Sequence, residues 1–128
     1  MLNSGAERRQ YPRLEKKLSF KLRANGYDFA TTTENISCIG AYCHVNKYIP
    51  PFTKVAVKLT LPMRITDTAG KKCKVESNGV IVRTEDAKSG GFNIAIFFNE
   101  IKDEQRQKIS RYISQALSDK SPPPFKRL

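Results

Sequence analysis

Apolar residues recur at every second position in one short run after another, and a chain patterned this way is built from strands. Val55, Val57, Leu59 and Leu61 give the cleanest case. Leu18, Phe20 and Leu22 alternate with Lys17, Ser19, Lys21 and Arg23. Tyr27, Phe29, Thr31 and Thr33 share one face of a run rich in β-branched threonine. Ala41, Cys43 and Val45 follow, then Cys73, Val75 and Ser77, then Phe92, Ile94, Ile96 and Phe98. Successive side chains of a strand point to opposite faces, so each run is a strand with one buried face. Turn formers separate the runs. Asn25-Gly26 is a hairpin signal, residues 35–40 read as a turn, Pro50-Pro51 breaks the chain, and residues 62–72 read as a loop. Gly79 predicts a bulge or bend before Val80 to Arg83, and Ser89-Gly90-Gly91 predicts a turn.

After Ile101 the period changes. Ile109, Tyr112, Ile113, Ala116 and Leu117 fall at helical spacing, with Asp103 as the expected N-cap and Glu104 in the first turn. The tail SPPPFKRL cannot continue a helix. Strands joined by turn-length links pair antiparallel, and closing the sheet removes its exposed edges. The expected fold is therefore mainly β: a six-stranded antiparallel β-barrel followed by a C-terminal amphipathic α-helix. A flexible basic arm is expected over residues 1–16, the barrel and helix over 17–118, and a disordered Pro-rich basic tail over 119–128.

Charge points to the partner. The formal net charge is +11, which calls for an anion. Residues 1–23 hold seven Lys/Arg against two Glu, and residues 102–128 hold seven against three acids. The basic character thus sits at the two ends, outside the expected barrel. No apolar run approaches the ~20 residues that span a bilayer, so stable membrane insertion is not expected. The N-terminal stretch lacks the apolar region of a secretory signal. Three cysteines, Cys38, Cys43 and Cys73, are an odd number without zinc spacing, which fits a reducing cytoplasm. Cys43 is in phase with Ala41 and Val45 and reads as core. His44, the single histidine, is out of phase with them and faces outward; Asp28 and Glu34 are isolated acids. With no Ser/His/Asp order and no Gly-rich phosphate loop, neither catalysis nor a cofactor is expected.

Two local clusters carry chemistry. In Arg8-Arg9-Gln10-Tyr11-Pro12-Arg13, three guanidinium forks can engage phosphates and the O6/N7 edge of guanine in one compact ligand. Pro12 stiffens the segment and biases Tyr11 towards extended geometry. In Asn35-Ile36-Ser37-Cys38-Ile39-Gly40, Asn35 and Ser37 are small, polar and two apart, hence on one side if extended. Gly40 permits a special backbone angle or the close approach of a ligand.

Arg9-x-x-x-Arg13, a strand pair, then Asn35-x-Ser37-x-x-Gly40 resembles the PilZ domain over roughly residues 7–117. Val80-Ile81-Val82-Arg83 looks like that family's late strand ending in arginine, and the Phe92–Phe98 strand followed by a helix also matches. The resemblance implies a six-stranded barrel of the split-barrel type that serves as a bacterial receptor for cyclic di-GMP. It further implies that Arg9 and Arg13, with Arg8 preceding them, grip the phosphates and a guanine edge. Asn35 and Ser37 would contact guanine, and Gly40 would shape the turn. The arm would order on ligand binding and signal to a downstream protein partner. One departure stands out: where the family carries a glycine in a Gly-x-x-Phe pattern of the last strand, this chain has Ala95. An alternative is a PilZ-like module that does not bind cyclic di-GMP and acts through protein contacts. A nucleic-acid-binding barrel suits the charge but not the aromatics, since Phe20, Phe29, Phe92 and Phe98 are in phase with the core; Tyr42 and Tyr48 are exceptions.

Overall fold

Alternation in the sequence becomes a closed sheet in the computed structural model, which describes residues 11–62 and 72–120. Among these residues six strands are formed: β1 Ser19–Ala24, β2 Tyr27–Ser37, β3 Gly40–Val45, β4 Lys54–Pro62, β5 Lys72–Asp86 and β6 Phe92–Glu100. They close antiparallel in the order β1-β2-β3-β6-β5-β4, with β4 returning to β1. The helix α1, Asp103–Lys120, follows. β1 buries Phe20, Leu22 and Ala24 and exposes Ser19, Lys21 and Arg23. β4 buries Val55, Val57, Leu59 and Leu61. Asn25 and Gly26 both take positive φ, 54° and 82°, between the paired Ala24 and Tyr27. This two-residue turn matches the twist of the strands it joins.

The inner faces meet in one core, in which Phe20, Leu22, Ile36, Leu59, Leu61, Ile81 and Ile94 are almost fully buried. Each such side chain contributes about 1.5–3 kcal/mol on leaving water. Ile109, Tyr112 and Ile113 bury the matching stripe of α1, which lies against β5 and β2. The side chain of Gln105 accepts a hydrogen bond from the Glu76 amide at 3.0 Å, fixing the first turn of α1 to β5.

Several local expectations need correction. The turn expected over residues 35–40 is shorter: β2 runs through Ser37 and pairs with β3 from Gly40, and Cys38 and Ile39 alone form the turn between the two strands. The Ser37 hydroxyl accepts from the Ile39 amide, as a serine beginning a turn does, and the Ile39 carbonyl accepts from the Phe98 amide. Pro62 and Lys72 are not loop residues but the paired ends of β4 and β5; the rest of the expected loop lies outside the described residues. Residues on both sides of Gly79 belong to one long strand, with the register against β6 shifting there. Asp103 is the first helical residue rather than the cap, because the Lys102 carbonyl accepts the first helical bond from Arg106. Asp103 still pairs with Arg106. The helix reaches Lys120, past the boundary drawn at 118; the tail from residue 121 lies outside the described residues.

Cys43 is fully buried, and burial, with Glu34 adding, pushes its thiol up to about 12. The neutral thiol therefore favours the fold below the unfolded value near 9.0, and that contribution is lost as pH rises from there towards about 12. Cys38 is also buried and Cys73 half-buried. Titration of the native protein with a thiol-reactive dye at pH 8 is expected to modify Cys73 first. Cys43 should react only after unfolding in urea. Equal rates at all three cysteines would contradict the buried position of Cys43.

Candidate functional site

Two bulges shape one outer face of the barrel. Between Thr33 and Asn35 the register of β2 against β3 advances by an extra residue, Glu34. Between Ile81 and Arg83 the register of β5 against β6 does the same at Val82. A bulge reverses the in-out phase of everything beyond it. Thr33 is buried, and strict alternation from it would carry Asn35 inward; the bulge instead turns both Glu34 and Asn35 outward, so that Ile36 is buried and Asn35 is half-buried on the outer face. Ile81 is buried, and Val82 in the same way leaves Arg83 exposed.

The registers then set up rows across four strands. Ile36, Ala41, Ile96 and Ile81 stand opposite one another and are all buried. On one side of that row Asn35, Tyr42, Ala95 and Arg83 stand opposite one another and face out. On the other side come Ser37, Gly40 and Phe97. Gly40 has no positive φ. Its reason is proximity: a Cβ there would lie 2.5 Å from the Ile96 carbonyl oxygen. The expected special backbone angle is thus not what the position uses; the close approach is made by β6.

The chain before β1 brings a further residue to this face. Leu14 is almost fully buried and exchanges backbone hydrogen bonds with Ile36 at 2.8 and 2.9 Å. Thr33, also fully buried, donates its hydroxyl to the Lys16 carbonyl at 2.6 Å and accepts from the Leu18 amide at 3.0 Å. Buried polar groups are stable when paired in this way. The packed body therefore begins before Lys17, and Leu14 belongs to the core rather than to an arm. Lys17 adds an exposed ion pair with Glu34, the bulge residue, at 2.9 Å.

A cavity of about 330 Å³ opens on this face. Arg13 and Tyr11 line it from the preceding segment, Asn35, Ser37, Ile39 and Gly40 from the β2–β3 hairpin, and Tyr42, Val82, Arg83, Ala95 and Phe97 from the sheet. Of the residues that sequence singled out, Arg13, Asn35, Ser37 and Gly40 are thus brought together; Arg8 and Arg9 lie outside the described residues. Tyr42 and Arg83 were not assigned to the site from sequence. The Arg83 guanidinium lies over the Tyr42 ring, 5.8 Å from its centroid. Its Nε is 3.2 Å from Glu85 Oε2, and the Tyr42 hydroxyl donates to Glu85 Oε1 at 3.2 Å. Val82 and Phe97 are large exposed apolar side chains. The cavity thus combines guanidinium groups, small polar side chains and apolar or aromatic walls, which suits a ligand with both anionic and flat apolar parts.

A larger groove of about 590 Å³ crosses the outside of β1, β4 and β5. It holds none of the motif residues, and its Arg23 and Asp28 are paired at 2.7 Å. The hydrogen bond to Arg23 holds the Asp28 carboxyl below its usual value. The chemistry favours the smaller cavity. His44 is half-buried, with Nε2 2.6 Å from the Gly90 carbonyl oxygen. Among the described residues no group of three or more His, Cys, Asp or Glu side chains could hold a metal, and no helix is long and apolar enough to cross a membrane.

Comparison with known proteins agrees with this architecture. A search of curated proteins by sequence gives no match. Among solved structures, the Bacillus subtilis inhibitor of motility (MotI/DgrA) superposes with a TM-score of 0.77 at 20% identity, covering 89% of this chain and 53% of that one. The chain thus spans about half the length of that protein. The PilZ domain of YcgR from Escherichia coli, with cyclic di-GMP, superposes with a TM-score of 0.54 at 12% identity, covering 89% of this chain and 99% of that one. At such identities the likeness concerns the fold. The PilZ domain family model matches residues 7–115, a span that takes in all six strands, both bulges and the cavity, and the chain belongs to the PilZ domain family.

Proposed function

We propose that this protein is a receptor for cyclic di-GMP, which it binds in the cavity on the outer face of β2, β3, β5 and β6. The observation that carries the reading is the convergence of Arg13 with Asn35, Ser37 and Gly40 around one cavity. Arg13 and the arm residues Arg8 and Arg9 supply forks for phosphates and a guanine edge. Asn35 and Ser37 supply the small polar contacts to guanine. Ligand binding fastens the arm onto the barrel and so changes the surface offered to a downstream protein partner. The setting is the cytoplasm of a bacterium, and the protein works without a cofactor and without catalysis of its own.

Calorimetric titration with cyclic di-GMP tests this. Wild type is expected to bind at micromolar or tighter concentration, and Arg9→Ala/Arg13→Ala to lose at least about tenfold in affinity, since hydrogen bonds to charged groups are each worth ~1.5–3 kcal/mol. Cyclic di-AMP, lacking the guanine acceptor pair, should give no heat. Absence of heat with cyclic di-GMP would sink the reading. A second reading, a module that has lost the ligand, is favoured by one observation: Ala95 lines the cavity between Tyr42 and Arg83. Under that reading the Ala95 methyl blocks the ligand, so wild type would give no heat and Ala95→Gly should recover binding.

A further inference from the structure

Phe52 stands where the backbone calls for glycine. The Pro50 carbonyl accepts from the Thr53 amide at 3.3 Å, and Phe52, at φ 72°, holds the third position of that turn after Pro51. Proline second and positive φ third make a type II turn, whose third residue is normally glycine. The pairing with β5 makes the same demand. The Phe52 amide donates to the Ile81 carbonyl at 2.6 Å, and the Ile81 amide donates to the Thr53 carbonyl at 2.9 Å, so two residues face one. With the first of the two at positive φ this is a G1 bulge, again a glycine site. A bulky side chain there strains the backbone. Yet little of the ring is covered: at 83% it is the most exposed large apolar side chain among the described residues. The fold thus gains nothing from phenylalanine here, and an aromatic kept against the local rule serves something outside the chain.

The same end of the barrel carries two further exposed aromatics. β1, β3 and β5 finish there, and β2, β4 and β6 begin. The β3–β4 connection, residues 46–53, crosses it, with Ile49 buried and the Ile49 carbonyl accepting from the Thr84 hydroxyl at 2.6 Å. Tyr48, on this connection, is 54% exposed, its ring T-shaped against Phe92. Tyr27, at the head of β2, is 56% exposed, with the Lys47 ammonium 4.1 Å from its ring centroid. Lys54 and Lys88 are exposed at this end as well. Of its acids, Asp28 is held by Arg23 and Glu85 by Arg83, which leaves Asp86.

We propose that this end of the barrel rests on an anionic lipid bilayer, with Phe52 inserted below the headgroups, Tyr27 and Tyr48 level with them, and Lys47, Lys54 and Lys88 on lipid phosphates. A protruding ring flanked by lysines suits a soft, negatively charged surface. Tyrosine, apolar with a polar tip, suits the boundary between lipid and water. Interfacial binding adds buried apolar area to attraction for anionic lipid, and a net charge of +11 supplies the second part. The contact is peripheral and reversible. None of Tyr27, Lys47, Tyr48 and Phe52 lines the nucleotide cavity, so it does not require cyclic di-GMP.

The chain has no tryptophan, so Phe52→Trp places a single reporter at the turn. Gln107→Trp places a control on the exposed side of α1, where the neighbouring Lys108 reaches the Lys74 carbonyl at the opposite end of β5. The full chain is sedimented with vesicles of phosphatidylcholine alone, or of phosphatidylcholine and phosphatidylglycerol in equal parts. Wild type is expected to sediment with the anionic vesicles and to be released by salt. Phe52→Gly should lose at least about tenfold in partition coefficient, the worth of burying a phenylalanine. It should also melt at or above wild type, because the backbone strain is relieved. Lys54→Ala/Lys88→Ala should weaken binding by about fivefold per charge. Emission of the Phe52→Trp protein should shift to the blue on anionic vesicles, and that of Gln107→Trp should not. Wild type that stays in the supernatant with both vesicles would overturn the proposal and leave the ring to a protein partner. Phe52→Gly that sediments like wild type would overturn it too, since diffuse charge would then suffice, as would Phe52→Trp emission that does not move. A melt of Phe52→Gly several degrees below wild type would show the ring to be structural and sink the reading.

Discussion

Leu14→Ala is expected to lower the unfolding free energy by about 2–5 kcal/mol in a urea titration, the usual cost of emptying a buried leucine site. That is a large share of a typical domain's total of about 5–15 kcal/mol. The loss is surprising for a residue set in a basic stretch, between Arg13 and Glu15, but Leu14 is 1% exposed and its backbone is paired in both directions with Ile36. The same substitution should weaken cyclic di-GMP binding although Leu14 does not line the cavity. Its anchorage sets where Arg13 stands relative to Asn35 and Ser37. Leu14→Met, which nearly conserves volume, should cost less than about 1.5 kcal/mol and leave binding intact. Lost stability with unchanged affinity would show that Arg13 is positioned by something other than this bridge.

The second large effect is expected at Gly40. An alanine methyl there would lie 2.5 Å from the Ile96 carbonyl oxygen, 3.6 Å from the Ile96 carbonyl carbon and 3.7 Å from Phe97 Cα. These are backbone atoms of a hydrogen-bonded strand pair, so no side chain can swing aside; β3 and β6 must separate. Overpacking of this sort costs roughly 1–3 kcal/mol. The melting temperature should fall by several degrees, and the cavity floor between Ser37 and Phe97 should widen. A melt of Gly40→Ala that coincides with wild type would show that the strands have room to spare. The effect differs from that of a turn glycine, where a backbone angle is at issue: here the requirement is for the absence of an atom.

The contrast between Gly40 and Gly26 illustrates how far the sequence can be read. Asn25-Gly26 announces its turn because both residues tolerate positive φ, and it lies where expected. Gly40 looks the same in sequence, beside small polar Asn35 and Ser37, so the whole stretch imitates a turn. Only the neighbouring strand reveals that Asn35 to Ser37 are extended and that the turn is confined to Cys38 and Ile39. The strands themselves were legible because alternation over several residues is a repeated signal: Phe20 and Leu22, Val55 to Leu61, and Ile94 to Phe98 are all buried in phase. The helix was legible for the same reason. Leu14 was not, because one apolar residue in a charged run has no period. Arg13, Asn35, Ser37 and Gly40 could be singled out because their residue types and spacing carry chemistry. Tyr42 and Arg83 could not be joined to them, because their meeting depends on two bulges and three strand registers. Tyr42 and Arg83 become neighbours through Ala95, far from both in sequence.

Glu34 has a consequence for how such a chain can change its length. Most strands gain or shed residues only at their ends, but the stretch from Thr33 to Ile36 can shed one from its middle. Deleting Glu34 alone would make Thr33 and Asn35 consecutive, as their partners Cys43 and Tyr42 already are, and would restore strict alternation with Thr33 and Ile36 still inward and Asn35 still outward. The bulge is therefore a spare residue: a one-residue deletion at Glu34 would leave the barrel's lining and its outer surface on their present sides and would remove the ion pair with Lys17.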